Sequence, residues 1–455
     1  MRSILIIGAG KSTSSLVRFL LKASTQEDLQ LIIGDISIDN ARSLAADHPN
    51  AKAIQLDIFD KANRQEAIQN ADIVISMLPA RFHIEVAKDC VKFNKNMVTA
   101  SYVSKEMEAL DKEVKEKGLT FMNEIGVDPG IDHMSAMQVI DRIRAQGGKM
   151  LLFESFTGGL VAPESDDNLW NYKFTWNPRN VVVAGQGAAA EFMQAGQYKY
   201  IPYQRLFRRT EFLSIPKYGR FEGLANRNSL AYRSIYGLEN IPTIYRGTLR
   251  RIGFSKAWNV FVQLGLTDDT YVMQDTESMS YRSFVNSFLP YSPTDSVELK
   301  LRLSLKIDQD DLIWDKLVEL DIFNSEKIIG LKNATPAQAL QKILEDKWTL
   351  KPEDKDMIVM YHKFGFELDG ERKQIDSTMV SIGEDQTYTA MAKTVGLPVG
   401  IAALKILNGE IKKPGVLRPI YPEIYNPILK SLEDYDIKFE ETEKEFIGYN
   451  PDQLN

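Results

Sequence analysis

Two periods of apolar residues alternate along the first 125 positions. Ile4–Ile7 is a continuous apolar, β-rich run, long enough for a strand buried on both faces. Leu16, Phe19 and Leu20 then fall on one side of a helical pattern. Leu29–Ile33 predicts a second buried strand with Asp35 just past its end. A helix over 40–47 and a third strand at Ala53–Leu56, ending at Asp57, come next. Asp72–Leu78 predicts a fourth strand, closed by Pro79, which has no N–H to extend it. Arg81–Phe93 reads as a helix, Met97–Thr99 as a strand, Glu106–Lys117 as one charged amphipathic helix and Leu119–Met122 as a sixth strand. Such alternation implies an α/β fold with a doubly wound parallel sheet. In such sheets ligands lie outside the carboxyl ends of the strands. That places Gly8, Asp35, Asp57, Leu78, Ser101 and the segment after Met122 along one rim.

The pattern changes beyond that segment. Asp128-Pro129-Gly130 predicts a turn and Asp132–Ala145 a helix. Met150–Thr157 follows as a strand, with a tight turn at Thr157-Gly158-Gly159 and an acidic loop over Pro163–Asn168. An aromatic run, Tyr172–Trp176, precedes a helix beginning after Pro178. Arginine- and tyrosine-rich strand pieces occupy Arg205–Tyr245, so the βαβ repeat has given way to a second domain of mixed type. Residues 253–350 read as mostly helical, and Thr335-Pro336 is a hydroxyl cap followed by proline at the first helical position. Strands return at Met357–Leu368 and Ser377–Ile382. The strongly apolar helix Leu397–Leu407, closed by Gly409, must be covered, and the open flank of the first sheet is a candidate. The charged tail 430–455 is expected at the surface with frayed ends.

The first strand, glycine turn and helix carry the earliest chemical signal. Gly8 allows a tight turn, Gly10 allows backbone to approach a pyrophosphate, and the helix N-terminus offers free N–H groups. Thr13 replaces the usual third glycine, a departure from the dinucleotide fingerprint. Asp35, 25 residues after Gly10, can hydrogen-bond both ribose hydroxyls of NAD and repels the 2′-phosphate of NADP. Dinucleotide binding with NAD(H) favoured is the expectation. Asp57 reads equally as an adenine-pocket residue and as a surface turn.

A chain of 455 residues should hold two or three domains. The net charge of −7, with no basic block, does not suggest nucleic-acid binding. The single cysteine, Cys90, excludes an internal disulfide framework and fits a reducing, cytoplasmic setting. The chain opens directly with a strand, so no leader is expected, and no window approaches ~18 consecutive apolar residues, so no membrane span is expected either. Four scattered histidines, without paired spacing, give no expectation of metal.

At NEIGVDPGIDHM, 123–134, the chain resembles the glutamate-forming saccharopine dehydrogenases, or saccharopine reductases, of lysine metabolism. The resemblance extends through SMLPARFH at 76–83, VTASYVS at 98–104, TGGLVAPESDDN at 157–168 and YKFTWNPR at 172–179. It continues through ANRNS at 225–229, YRGTLRRIGF at 245–254 and AMAKTVGLPVGIAALKILNGEIKKPGVL at 390–417. It implies a Rossmann-type domain formed by both ends of the chain, with an inserted mixed α/β domain for substrate and dimerisation. The expected division is residues 1–127 for dinucleotide binding, 128–387 for a substrate and dimerisation α+β domain, and 388–455 for C-terminal helices returning to the first. A homodimer acting on a small-molecule substrate is expected. The implied reaction oxidises the secondary amine of saccharopine with a nicotinamide, and water splits the resulting imine into glutamate and 2-aminoadipate 6-semialdehyde.

On the family pattern the cofactor lies along Gly10, Lys11, Ser12 and Thr13, the position of Asp35, Asp57, Ile58, Leu78, Ser101 and Asp128, with Trp176 nearby. Substrate is held by Ser101, Tyr102, Arg227, Arg246, Gly247 and Thr248. The residue chemistry agrees: arginines grip carboxylates bidentately, and the backbone around Gly247 and the Thr248 hydroxyl offer further donors. The sequence departs from the pattern twice. Asp35 stands where the family places a basic residue and favours NADP(H), and Thr157 stands where it carries a cysteine. Proton handling at nitrogen and water needs an acid–base group. Tyr102 and Asp128 are the nominees, although Asp128 also suits an Asx-turn before Pro129. Asp132 and His133 read as capping or core residues, and Lys173 as exposed. Two alternatives stay open: a carboxynorspermidine or carboxyspermidine dehydrogenase, whose substrate calls for a pocket richer in carboxylates, and a non-catalytic NAD-binding protein.

Overall fold

The protein is described from a computed structural model covering residues 1–446. Its contacts divide it into two units. The first comprises Met1–Lys149, Glu367–Glu371 and Met379–Thr442, and the second is built chiefly from Met150–Phe366 and Arg372–Thr378. The strands, in chain order, are β1 (Arg2–Ile7), β2 (Leu29–Asp35), β3 (Ala51–Gln55), β4 (Ile73–Ser76), β5 (Asn96–Val98) and β6 (Thr120–Met122). Next come β7 (Lys149–Val161), β8 (Ala190–Gln194), β9 (Gln197–Ile201), β10 (Thr210–Ile215), β11 (Gly219–Ala225) and β12 (Thr243–Arg251). The last four are β13 (Asp356–Leu368), β14 (Glu371–Ile382), β15 (Gly415–Leu417) and β16 (Glu440–Glu445).

In the first unit the sheet order is β15-β6-β5-β4-β1-β2-β3, and every neighbouring pair of strands is parallel. This is the Rossmann order, with its switch point between β1 and β4, where the crevice for a ligand opens. Ile4–Ile7, Ile73–Ile75 and Val98 are buried because strands covered on both faces need apolar side chains throughout. Helix α1 (Ser14–Ser24) lays Leu16, Val17 and Leu20 inward. The apolar helix Ala390–Leu407 packs on α1 and on β4 and β5. A Cβ at Gly396 would lie 2.7 Å from the Leu16 nitrogen, and one at Gly400 2.7 Å from the Phe19 ring, so bare backbone is what lets the two helices meet. By length and composition this helix is long enough to cross a bilayer, yet two thirds of it is buried (67%), which accounts for its apolarity by packing.

Several expected boundaries differ. β2 runs through Asp35 instead of stopping before it. The charged helix breaks into Lys105–Glu108 and Asp111–Glu116. The division falls at Lys149/Met150 where 127/128 was expected. Helix Ile131–Ala145 lies with the first unit, where Tyr425 donates to Asp141 at 2.9 Å.

The second unit holds the mixed sheet β10-β11-β12-β7-β13-β14-β16, with β8 and β9 attached beside β12. The predicted turn at Thr157-Gly158-Gly159 is instead the middle of β7. Gly158 is there for close packing: a Cβ would meet that of Leu249 at 2.8 Å. Helices Phe254–Leu264 and Pro336–Trp348 bring Phe254, Trp258 and Trp348 together with Trp170 and Tyr172 in one aromatic core. Thr335 and Gln338 close the predicted start with a capping box. The tail forms β16, an edge strand not anticipated from its charge, and residues 447–455 of that prediction lie outside the described chain.

Candidate active site

In the first unit the expected cofactor residues gather at the carboxyl ends of β1 and β2. Gly8 has φ 107°, and a Cβ there would sit 2.8 Å from the Met77 carbonyl oxygen, so the turn requires glycine. At Gly10 a Cβ would meet nothing within 4 Å, so the protein leaves open space above this backbone. Lys11–Thr13 forms a single 3₁₀ turn leading into α1, and no side chain caps its N-terminus. Thr13 explains the missing third glycine: it is buried and its hydroxyl donates to the Gly8 carbonyl at 3.1 Å, closing the loop from inside. The Asp35 carboxylate accepts from Ala9 N at 2.7 Å and Ser37 N at 2.9 Å, which fixes it beside the glycine turn. An open glycine cradle, an uncapped N-terminus and a fixed carboxylate fit a dinucleotide's pyrophosphate and ribose.

The other expected contacts are less uniform. Asp57 accepts from Phe59 N at 2.9 Å and is an Asx-turn residue. Ile58 is buried in the apolar core, where Leu78, half-buried, also packs. Their side chains therefore serve the fold first.

Ser101 is held by a residue that sequence reasoning passed over. His83, buried at the head of its helix, lies 2.8 Å through Nδ1 from Ser76 Oγ and 2.7 Å through Nε2 from Ser101 Oγ. Burial lowers its pKa to about 4, so it is neutral at physiological pH. Ser76 and His83 share one resemblance block, seven residues apart, which was the available signal. Tyr102, half exposed, donates its hydroxyl to Asp128 Oδ1 at 3.2 Å. The loop bearing Asp128 is tight. Gly126 N donates to the Pro129 carbonyl at 2.8 Å, and Gly130, at φ 148°, has no room for a Cβ.

Beneath this loop lies a buried charged cluster, also missed. Glu124 accepts from Val103 N at 3.0 Å and Arg418 Nε at 2.8 Å, and its other oxygen lies 2.9 Å from His133 Nε2. Burial raises the Glu124 pKa, but the bond to His133 and the nearby positive charge outweigh it, so the net shift is downward. Asp132, buried in the first turn of helix Ile131–Ala145, accepts from Gly130 N at 2.6 Å. The cluster ties the Ser101–Val103 loop to the start of helix Ile131–Ala145 and to the segment after β15.

In the second unit, Arg246, Gly247 and Thr248 lie on β12. Arg246 is buried with its guanidinium 3.9 Å from the Tyr232 ring centroid, and its backbone N–H donates to Ser229 Oγ at 2.9 Å. Thr248 donates to Asn226 Oδ1 at 2.9 Å. Arg227 is exposed and Trp176 half-buried. The backbone at Gly247 is not the free donor expected, because the strand is paired there to both Phe156 and Ala225. Its missing side chain makes room for the Phe156 ring, which a Cβ would approach to 2.8 Å. Lys173 is likewise not exposed: it is buried and paired with Asp354 at 2.7 Å and Asp167 at 2.8 Å.

Comparison with known proteins matches both units. The saccharopine dehydrogenase NADP binding domain corresponds to residues 4–122 and the saccharopine dehydrogenase C-terminal domain to residues 126–437. The NADP(+), L-glutamate-forming saccharopine dehydrogenase of Saccharomyces cerevisiae is 33% identical over 95% of this chain and 97% of its own. The mitochondrial alpha-aminoadipic semialdehyde synthase of Mus musculus is 32% identical over 96% of this chain, which spans 47% of that protein. The solved apo structure of the S. cerevisiae L-Glu-forming saccharopine dehydrogenase superposes with a TM-score of 0.88 at 32% identity, covering 98% of this chain and 100% of that one. The chain belongs to the saccharopine dehydrogenase family.

Proposed function

We propose that the protein is a glutamate-forming saccharopine dehydrogenase, oxidising the CH–NH bond of saccharopine to an imine that hydrolyses to glutamate and 2-aminoadipate 6-semialdehyde. The observation that carries this reading is kinship with the yeast enzyme over 95% of this chain, so both units have their counterpart. A bound nicotinamide would supply the hydride acceptor. This chain's part is to hold the dinucleotide along Gly8–Thr13 and Asp35, and the substrate carboxylates at Arg227 and Arg246. Ser101, oriented by His83, and Thr248, oriented by Asn226, add hydroxyls of fixed direction. The Tyr102 hydroxyl and Asp128 carboxylate form a proton-exchanging pair for the substrate nitrogen or the attacking water.

The S. cerevisiae relative is named an NADP(+) enzyme, and the matching family domain an NADP binding domain. For this chain we favour NAD(H), because Asp35 places a fixed negative charge beside the ribose end of the glycine turn, where a 2′-phosphate is repelled. Following absorbance of the reduced nicotinamide with saccharopine and NAD or NADP tests both parts. Turnover of carboxynorspermidine without turnover of saccharopine refutes the substrate, and a lower KM for NADP(H) than for NAD(H) refutes the cofactor preference.

A further inference from the structure

We propose that Arg250 is a third carboxylate-binding arginine of the second unit, gripping one acid group of the substrate on the face of β12 that carries Arg246 and Thr248. The proposal rests on the saccharopine reading above, and adds a residue to it.

Side chains alternate along a strand, so Arg246, Thr248 and Arg250 share one face of β12 and Gly247, Leu249 and Arg251 the other. Arg250 is 8% exposed, and among the described residues no carboxylate pairs with it. Its one hydrogen bond runs from Nη1 to the Leu249 carbonyl at 2.8 Å, and its Nε is buried with no acceptor. Glu222 stands opposite in register, but its carboxylate accepts from Gly253 N at 3.2 Å and Ser255 N at 2.5 Å. The residue best placed to neutralise Arg250 is committed to the start of a helix.

A buried cation left this way is costly, and folded proteins pair such charges. Arg250 is instead oriented without being neutralised: its guanidinium lies 4.9 Å from the Tyr172 ring centroid and 5.3 Å from that of Phe254. Aromatic contacts fix a guanidinium while leaving its N–H edge for a planar anion. Thr157, opposite Thr248 in register on β7, points to the same face and has a buried hydroxyl with no partner. The face thus holds a cation with no carboxylate partner and no acceptor for its Nε, and a hydroxyl with no partner within the protein. Four residues of strand separate Arg246 from Arg250 by roughly 13 Å between Cα atoms. Arginines on one strand face at that spacing suit a long, multiply acidic substrate, and three arginines match the three carboxylates of saccharopine.

The test compares the full-length protein and Arg250→Gln on saccharopine and on three analogues, each lacking one of its carboxylates. The expected result is a rise in saccharopine KM of about tenfold or more with the KM for NAD(P) unchanged. For one analogue, the one without the carboxylate that Arg250 holds, the two proteins should have equal KM. An equal loss on saccharopine and all three analogues, or an unchanged saccharopine KM, overturns the proposal and makes Arg250 a core residue. Should Arg250→Gln fail to fold, Arg250→Lys, which keeps the charge but loses the bidentate fork, gives the same comparison. Failure of the unsubstituted protein to oxidise saccharopine is a separate outcome, and it sinks the substrate reading together with this proposal.

Discussion

The Asp35 carboxylate accepts the Ala9 N–H at 2.7 Å, linking the end of β2 to the glycine turn after β1. One charge thereby holds the turn's conformation and, in the function proposed above, selects the cofactor. Asp35→Ala should lower the NADH-to-NADPH ratio of kcat/KM by at least about tenfold, the loss of about 1.4 kcal/mol of discrimination. It should also destabilise the protein modestly, since a charge-assisted bond to a backbone donor goes with it. Steady-state kinetics with both cofactors checks this, and an unchanged ratio removes Asp35 from cofactor selection.

Tyr102 and Asp128 form the exposed pair nominated for proton transfer, 3.2 Å apart. Tyr102→Phe and Asp128→Ala should each lower kcat by about tenfold or more. Near-normal turnover in both variants would show that protons move by another route.

His83 makes the protein acid-sensitive. In the unfolded chain its imidazole takes up a proton near pH 6.5, whereas in the fold burial delays that until about pH 4. The unfolded state therefore binds more protons between those values, so the contribution of His83 is intact above pH 6.5 and is lost as pH falls towards 4. The loss is about 3 kcal/mol at most. Denaturant unfolding at pH 7 and pH 4.5 should show a smaller difference for His83→Asn than for the unsubstituted protein. Equal differences would mean that His83 is not the group responsible.

Glu124 lies between His133 and Arg418 in a buried site. Removing the carboxylate leaves both partners, and Val103 N, without their acceptor, so Glu124→Ala should cost about 3–5 kcal/mol. Its lowered pKa means that this stabilisation is present above the ordinary glutamate value of 4.5 and is lost as pH drops through the lower folded one. Thermal melts of Glu124→Ala and Glu124→Gln should rank alanine below glutamine, because the amide still offers one acceptor oxygen. The reverse order would argue against the hydrogen bonds as the source of stability.

Much of the first unit was legible in the pattern of residues. Continuous apolar runs betray strands buried on both faces, and Pro79 and the Thr335-Pro336 cap mark boundaries by backbone chemistry alone. Gly158 shows the limit of such reading, since a glycine needed for contact with Leu249 looks, in sequence, like a glycine needed for a turn. Lys173 shows another, because its burial depends on Asp354, 181 residues away.

By itself, then, the sequence determined the parallel βαβ sheet and the dinucleotide turn with Asp35. These follow from local periodicity, backbone restrictions and side-chain charge, which need no distant partner. Only the tertiary structure decided that His83 directs Ser101, that Glu124 unites Val103, His133 and Arg418, and that Arg250 lies buried without a carboxylate. Whether a polar group is satisfied is settled by which remote residues the fold brings within about 3 Å of it, and no spacing along the chain encodes that distance.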